Sequence, residues 1–303
     1  MNPREEHLAT RRAAGLFDFS FMGLYEFHEK SSIQRLQTRD LSALEPGRVA
    51  YTLLLNPDGS VFNDATVWNM GAERWWLFTG RPGDIAWLGT AARNRSGEHA
   101  ILALQGPASG RILARLIGAD TVRGLRYFHF VQLDSLLVAR LGYSGELGYE
   151  LMVPPAEEPR LRSRLLDAGH TDGLCEASFE AANGLRIESG YVLFDREIDG
   201  RANPRELGLE RVVSNQQRVF GLSRKLVGLE IAGRQPDANL PLAHVTSECD
   251  SPILEKRIAL GFAAPDARPG DLARLNDGRV ARLASLPFYD PERRKPRAVP
   301  IRG

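Results

Sequence analysis

Residues 138–154 (VARLGYSGELGYELMVP) constrain the fold more than any other stretch of this chain, because they predict two strands joined by a tight bend. Gly142 and Gly145 mark the bend, and Pro154 ends the second strand. That strand has apolar residues at every second position: Tyr149, Leu151 and Val153. Two interpretations stay open on these residues alone. The bend is either an ordinary hairpin with a solvated acidic edge, or one wall of a site that approaches something flat or bulky.

The sequence predicts further strands and helices before and after this hairpin. The sequence predicts strands at 49–55, 61–70, 75–79 and 99–104, the first two joined by the turn Asn56–Gly59. It predicts helices at 5–14, 31–43, 84–95, 159–168 and 177–189, and one more that opens with Pro107 at its first position. Mixed helices and antiparallel strands predict an α+β fold.

The last third of the chain has a different pattern. A polar linker is predicted at 213–223, and five short strands follow it at 227–231, 244–247, 258–262, 271–275 and 279–285. We therefore predict a region of two α+β subdomains at residues 1–222 and a small all-β barrel domain at residues 223–303.

Charge and motif content exclude several classes of function. Lys and Arg number 39 against 38 Asp and Glu, so the net charge of +1 argues against a nucleic-acid partner. No apolar run is long enough to span a membrane, and the N-terminus lacks the apolar core of a secretory signal. Two distant cysteines, Cys175 and Cys249, suit a reducing cytoplasm. The six histidines lack zinc spacing, so no metal site is predicted, and neither a phosphate loop nor a nucleophile elbow is present.

A few polar residues on predicted strands and bends remain as candidates for chemistry. Asp64 falls inside an apolar strand, where aspartate is unfavourable, so it is either a functional carboxylate or the mark of a bulge or edge strand. Arg186 and Glu188 bracket a helix end, as a site or as a solvated charged face. The carboxylates and the one tyrosine of this set suit a polar heteroaromatic ring and the handling of one proton; they are Asp64, Tyr143, Glu150 and Glu188.

Seven blocks in register resemble the glycine-cleavage T-protein (aminomethyltransferase) family, which includes the folate domains of dimethylglycine and sarcosine dehydrogenases. The blocks are AGLFDFSFM (14–22), LLNPDGSVFNDATV (54–67), LALQGP (102–107), RLGYSGELGYEL (140–151), LRIESGYVLFDREID (185–199), SPILEKRIALGF (251–262) and LPF (286–288).

The resemblance implies a tetrahydrofolate site and a role for each candidate. Asp64 matches the family's catalytic aspartate, beside the reacting nitrogen. Tyr143 and Glu150 match its pterin-side tyrosine and glutamate, and Glu188 matches a further folate contact next to Arg186. A buried carboxylate suits the N–H edge of a pterin. Glu146 is expected only to shape the turn.

The resemblance implies a transferase that moves a one-carbon unit from a small amine or methylated donor to tetrahydrofolate. Aminomethyl transfer, with a lipoyl carrier protein as a partner, and methyl transfer both fit. The alternative is a non-catalytic folate-binding or scaffold protein that keeps the fold. Phe21 replaces the family's usual His or Ser. The chain begins close to AGLFD, so either its start is mis-assigned or one wall of the folate cavity is different.

Overall fold

A computed structural model describes residues 1–214, 220–233 and 239–301. Its helices are α1 (Pro3–Arg12), α2 (Lys30–Gln34), α3 (Ile85–Leu88), α4 (Ser109–Ile117), α5 (Ala119–Gly124), α6 (Glu158–Gly169) and α7 (Phe179–Glu188). Its strands are β1 (Ala14–Asp18), β2 (Gly23–Phe27), β3 (Val49–Leu55), β4 (Val61–Gly71), β5 (Arg74–Thr79), β6 (Arg93–Asn94), β7 (Ala100–Gln105), β8 (Phe130–Leu133), β9 (Leu136–Ala139), β10 (Gly148–Val153), β11 (Leu174–Glu176), β12 (Lys225–Gly233), β13 (Leu242–Ser251), β14 (Lys256–Ala263), β15 (Leu272–Leu275) and β16 (Val280–Ala284).

The chain divides into two compact units. Unit 1 contains residues 1–52, 65–182 and 293–303, and unit 2 contains residues 53–64 and 183–292. The predicted boundary at 222/223 stays a prediction, and residues 215–219 of the predicted linker lie outside the described residues. No helix in the described ranges is both long and apolar enough to cross a bilayer.

Unit 1 is built on a six-stranded sheet of order β11-β1-β7-β10-β9-β8, antiparallel except for the β1–β11 pair. Helices α4, α5 and α6 pack their apolar residues on one face of this sheet, where alternate strand residues such as Leu102, Leu104 and Leu151 are buried. The other face of β10 carries Glu150 and Met152. The predicted strand–bend–strand at 138–154 is therefore present, with its second strand in the interior of the sheet.

Helix α1 begins unit 1 with a complete capping box. The Asn2 side chain accepts a hydrogen bond from the Glu5 backbone N–H at 2.9 Å, and the Asn2 N–H donates to Glu5 Oε2 at 3.1 Å. Pro3 occupies the first helical position, where its missing N–H costs nothing. The described chain also forms a second sheet, of order β3-β4-β5-β2-β6.

Unit 2 contains a closed five-stranded barrel, β12-β14-β13-β15-β16, in which β16 pairs back onto β12. Its core contains small and branched residues such as Leu229, Ala259 and Leu283. All five predicted strands of this region are present. The predicted α+β fold with a small C-terminal barrel is confirmed.

Three helix predictions were wrong in extent. The helix predicted at 84–95 is only Ile85–Leu88, because Gly89 adopts a φ of +71° that a right-handed helix cannot continue. The helix predicted at 31–43 ends at Gln34. Pro107 lies two residues before α4, which begins at Ser109, so it is not the first helical residue.

Candidate functional site

Glu150 lies in the middle of the unit 1 sheet, on the face opposite the helices. Its neighbours in the strands on either side are Ala103 of β7 and Ala139 of β9. Residues directly opposite each other in antiparallel strands point to the same face. Two alanines therefore flank the carboxylate, and neither has a group that could donate a hydrogen bond to it.

The Glu150 carboxylate is buried without a hydrogen-bond partner among the described residues. The residue is 6% exposed, and burial raises the pKa of its carboxyl from an ordinary value of 4.5 to about 7. An acceptor that is buried and unpaired costs free energy unless something else supplies donors. The Glu150 carboxylate is therefore suited to accept hydrogen bonds from the N–H groups of a bound molecule.

The bend between β9 and β10 carries Tyr143, which is half-buried. Gln105 lies beneath the two ends of this bend. Its amide accepts a hydrogen bond from Ser144 Oγ at 2.8 Å and donates to the Leu141 carbonyl at 3.3 Å. A Cβ at Gly142 or Gly148 would approach the Gln105 side chain to 2.0–2.4 Å. Both glycines are needed here for close approach, because any larger residue would displace Gln105.

The bend also contains a buried ion pair. Glu146 Oε1 accepts a hydrogen bond from Arg11 Nη1 of helix α1 at 3.1 Å, and the two side chains are 2% and 1% exposed. The same Arg11 nitrogen donates to the Ser144 carbonyl at 2.8 Å. These contacts agree with the expectation that Glu146 shapes the turn.

Asp64 lies in β4, which has strand neighbours on both sides. The pairing of β4 with β5 begins at Ala65, one residue after Asp64, so the edge-strand interpretation of Asp64 stays open. The one register shift between β4 and β5 falls between Asn69 and Gly71, away from Asp64. Asn63 is fully buried and its Oδ1 accepts a hydrogen bond from the Asp64 N–H at 2.9 Å, while Asp64 is half-buried. The alternation thus leaves the carboxylate partly accessible.

Arg186 lies near the C-terminal end of α7 in unit 2, and it is 1% exposed. Nη1 pairs with Glu197 Oε2 at 2.7 Å and donates to the Tyr191 carbonyl at 3.1 Å. Nε donates to Asn183 Oδ1 at 2.9 Å, and Nη2 donates to Ser247 Oγ at 2.7 Å. The interpretation of this position as a solvated charged face was wrong, because the guanidinium is buried and bonded on all three nitrogens.

Glu188 ends α7 and is also fully buried. Its Oε1 accepts a hydrogen bond from Ser251 Oγ at 2.5 Å, and its backbone carbonyl accepts one from the Tyr289 N–H. Unit 2 thus holds Arg186 and Glu188 two residues apart on one helix. Unit 1 holds Tyr143 and Glu150 on one bend and the strand that follows it.

Gln105, Arg11 and Glu197 support these groups, and the sequence reasoning missed all three. A signal for Gln105 existed, since Gly142 and Gly148 lie on either side of a bend whose strand pairs with LALQGP. Nothing local indicated Arg11 or Glu197, because their partners lie 135 and 11 residues away.

Comparison with known proteins places this chain. Residues 2–217 match the model of the GCVT N-terminal domain family. The chain belongs to this family. The resemblance to the glycine-cleavage T-protein family is thereby confirmed.

Known aminomethyltransferases are similar in sequence to this chain over most of its length. The aminomethyltransferases of Halothermothrix orenii and Bacillus subtilis are each 32% identical to it, over 94% of this chain and 90% of the relative. That of Chlorobaculum tepidum is 34% identical, over 76% of this chain and 71% of the relative. The family member is an enzyme of the aminomethyltransferase kind.

A solved structure agrees in fold. The glycine cleavage system aminomethyltransferase T from Bartonella henselae superposes with a TM-score of 0.80 at 24% identity, covering 96% of this chain and 90% of that one. None of these comparisons tests individual side chains. The assignments of Asp64, Tyr143, Glu150, Glu188 and Arg186 therefore stay predictions.

Proposed function

We propose that this chain transfers an aminomethyl group from an amine-bearing donor to tetrahydrofolate. Membership of the GCVT family and the aminomethyltransferase relatives support the reaction class. The observation that carries the folate assignment is the buried, unpaired carboxylate of Glu150.

The surroundings of Glu150 fit the N–H edge of a flat heteroaromatic ring. An ionised carboxylate offers two oxygens to adjacent N–H donors, and such charge-assisted pairs are stronger than neutral ones. The flanking Ala103 and Ala139 bring no competing polar group. We assign Glu150 to the pterin edge and Tyr143, on the adjoining bend, to the same ring.

Tetrahydrofolate, when bound, supplies the nitrogen that accepts the one-carbon unit. We assign to Asp64 the task of orienting the reacting amine and stabilising the positive charge that develops there. Glu188 is the further folate contact that we favour. Arg186 has its donors committed to protein groups, so its contribution to folate binding would pass through the helix that it stabilises.

The donor is the finer part of the proposal. We propose an aminomethyl group carried on the lipoyl arm of a partner protein. The competing donor is a free methylated amine such as sarcosine or dimethylglycine, which without an oxidant would pass on its methyl group, leaving the demethylated amine and methyl-tetrahydrofolate. Each of the two donors can be supplied separately to the purified protein with tetrahydrofolate. Mass spectrometry then identifies the folate product and the amine that is released. Turnover with the lipoyl-bound donor alone supports the proposal, and turnover only with a free methylated amine overturns the choice of donor.

Binding is tested first, by calorimetric titration of tetrahydrofolate into the folded protein. We expect saturable binding that Glu150→Gln weakens by about tenfold or more, because an amide oxygen replaces a charged acceptor. Glu73→Gln, at an exposed turn, is the matched control. Saturable binding without transfer from any donor would indicate a folate-binding protein rather than an enzyme, and no binding would reject the folate assignment.

Asp64→Asn separates chemistry from binding. We expect it to lower kcat by about a hundredfold or more, because the charge near the reacting nitrogen is lost while the shape is kept. The Kd for tetrahydrofolate should change by less than about threefold. Asp120→Asn, on the exposed surface of α5, controls for general loss of negative charge. An unchanged kcat would remove Asp64 from the mechanism.

A further inference from the structure

After the barrel, the chain returns to unit 1 as a segment that we call the C-terminal strap, residues 293–301. Arg140 Nη2 donates to the Ala298 carbonyl at 2.6 Å, and Ile301 packs against the apolar core of unit 1. The strap also runs against helix α4, where a Cβ at Gly110 would lie only 2.2 Å from the Pro300 carbonyl oxygen. These contacts fix the strap on unit 1 without any residue of the barrel.

One strap side chain reaches the bend that carries Tyr143. Lys295 Nζ lies 3.7 Å from Glu146 Oε1, the same oxygen that Arg11 Nη1 approaches at 3.1 Å. Two cations from distant parts of the sequence therefore meet on one buried carboxylate. Gln105 holds the bend through Ser144 Oγ and the Leu141 carbonyl, and the cluster of Arg11, Glu146 and Lys295 holds it at Glu146.

We propose that Lys295 and Arg11 are positioning residues, which act through Glu146 to hold the bend and with it Tyr143. The inference rests on the proposed function, because it assumes that Tyr143 contacts the folate. A bend with several glycines has many accessible conformations, and ordering them during binding would weaken affinity. Electrostatic contacts that order the bend before folate binds reduce the conformational entropy that is lost in the binding step.

The main test is Lys295→Met in the whole chain, because Lys295 is 42% exposed and we expect its replacement to leave the fold intact. We expect the Kd and KM for tetrahydrofolate to rise about two- to fivefold, the range for a partly exposed ion pair, with kcat unchanged. Lys295→Arg should restore both values.

Lys256→Met is the matched control. Lys256 pairs with Glu230 at 2.8 Å on the barrel and is 52% exposed. Its loss should cost about as much stability as the loss of Lys295, with no change in the Kd or KM for tetrahydrofolate. A weaker affinity in this control would attribute the effect to stability and overturn the positioning role.

A second route disturbs the strap from its other side. Gly110→Ala places a methyl group against Pro300, so the strap has to move, whereas Gly124→Ala on α5 meets no atom within 4 Å. We expect Gly110→Ala to weaken tetrahydrofolate binding as Lys295→Met does. The double variant should be no weaker than either single one, because both remove the same contact.

The outcomes separate this inference from the proposed function. If wild-type protein fails to bind tetrahydrofolate, the proposed function fails. If wild-type protein binds it and Lys295→Met and Gly110→Ala bind equally well, the positioning role is overturned and the proposed function stands. Additive effects of the two substitutions would also overturn it, since they would then act through different contacts.

Discussion

Glu197 in unit 2 and Glu150 in unit 1 are both buried carboxylates, but only Glu197 is hydrogen-bonded by groups of the described chain. In unit 2, Arg186 and Glu197 are both about 1% exposed or less, and each is bonded to several protein groups. In unit 1, Glu150 is nearly as buried but has no hydrogen-bond donor among the described residues. Buried charge alone therefore does not mark a ligand site. A buried charge that the chain leaves unsatisfied is the informative one.

Breaking the satisfied pair should produce the largest effect. We expect Glu197→Gln to lower the free energy of unfolding by about 3–5 kcal/mol, because the Arg186 charge stays buried without its counterion. Denaturant unfolding followed by circular dichroism measures the loss. Arg257→Met, which removes an exposed pair with Glu248 on the barrel, should cost less than about 1 kcal/mol. Equal losses in the two variants would contradict the distinction between buried and exposed pairs.

The opposite change is expected at the unsatisfied carboxylate. A folded-state pKa of about 7, against 4.5 when unfolded, means that the folded protein retains a proton between these values and stability falls as the pH rises through them. Above pH 7 the full cost is about 3 kcal/mol. Glu150→Gln should therefore stabilise the ligand-free protein by about that amount at pH 8 and by little at pH 4.5.

Chemical unfolding at the two pH values, without folate, checks the Glu150 prediction. Glu73→Gln, which removes an exposed carboxylate, is the control variant. If Glu150→Gln is no more stable than wild type at pH 8, the Glu150 carboxylate has a hydrogen-bond partner in solution, and the contrast with Glu197 is contradicted.

Ser251→Ala tests the same contrast at Glu188, because it removes one hydrogen-bond donor from a buried carboxylate. The substitution removes a hydrogen bond of 2.5 Å to a buried carboxylate, and we expect a loss of about 2 kcal/mol in the free energy of unfolding. Loss of stability with unchanged tetrahydrofolate affinity would make Glu188 a structural group. A large loss of affinity as well would support its assignment as a folate contact.

The smallest expected effect is the pH dependence of folate binding itself. N–H donors favour the ionised carboxylate, so the affinity for tetrahydrofolate should rise with pH until about pH 7 and level off above it. Below that value the slope approaches about tenfold per pH unit, or about 1.4 kcal/mol. Calorimetry between pH 5.5 and 8.5 measures it. In Glu150→Gln the slope should disappear, and a slope that persists would assign it to another group.

The sequence predicted the parts of this fold in which local pattern and final structure agree. The hairpin at 138–154 and the barrel strands after residue 223 follow from alternation and turn residues, which act over a few positions. The helix predicted at 84–95 failed because helical spacing of Ile85, Leu88 and Ala92 says nothing about the backbone of Gly89, which ends the helix.

The candidate site was predictable only in its residue types. Sequence position gave Glu150, but its character depends on Ala103 and Ala139, which strand pairing brings beside it. The hydrogen-bond network around Arg186 could not be predicted either, because its partner Ser247 lies 61 residues away in the sequence. Tertiary packing decides which side chains meet across strands or between a helix and a barrel, and no local sequence pattern encodes these contacts.

The discontinuity of unit 1 has a consequence for the order of events during synthesis. Domains form as their segments leave the ribosome, N-terminal parts first. The bend and its sheet emerge early, but Lys295 follows the whole barrel in the chain. A nascent chain that has exposed only the first 200 residues thus carries Glu146 with Arg11 but without Lys295. The contact between Lys295 and Glu146 can form only after the barrel has been translated.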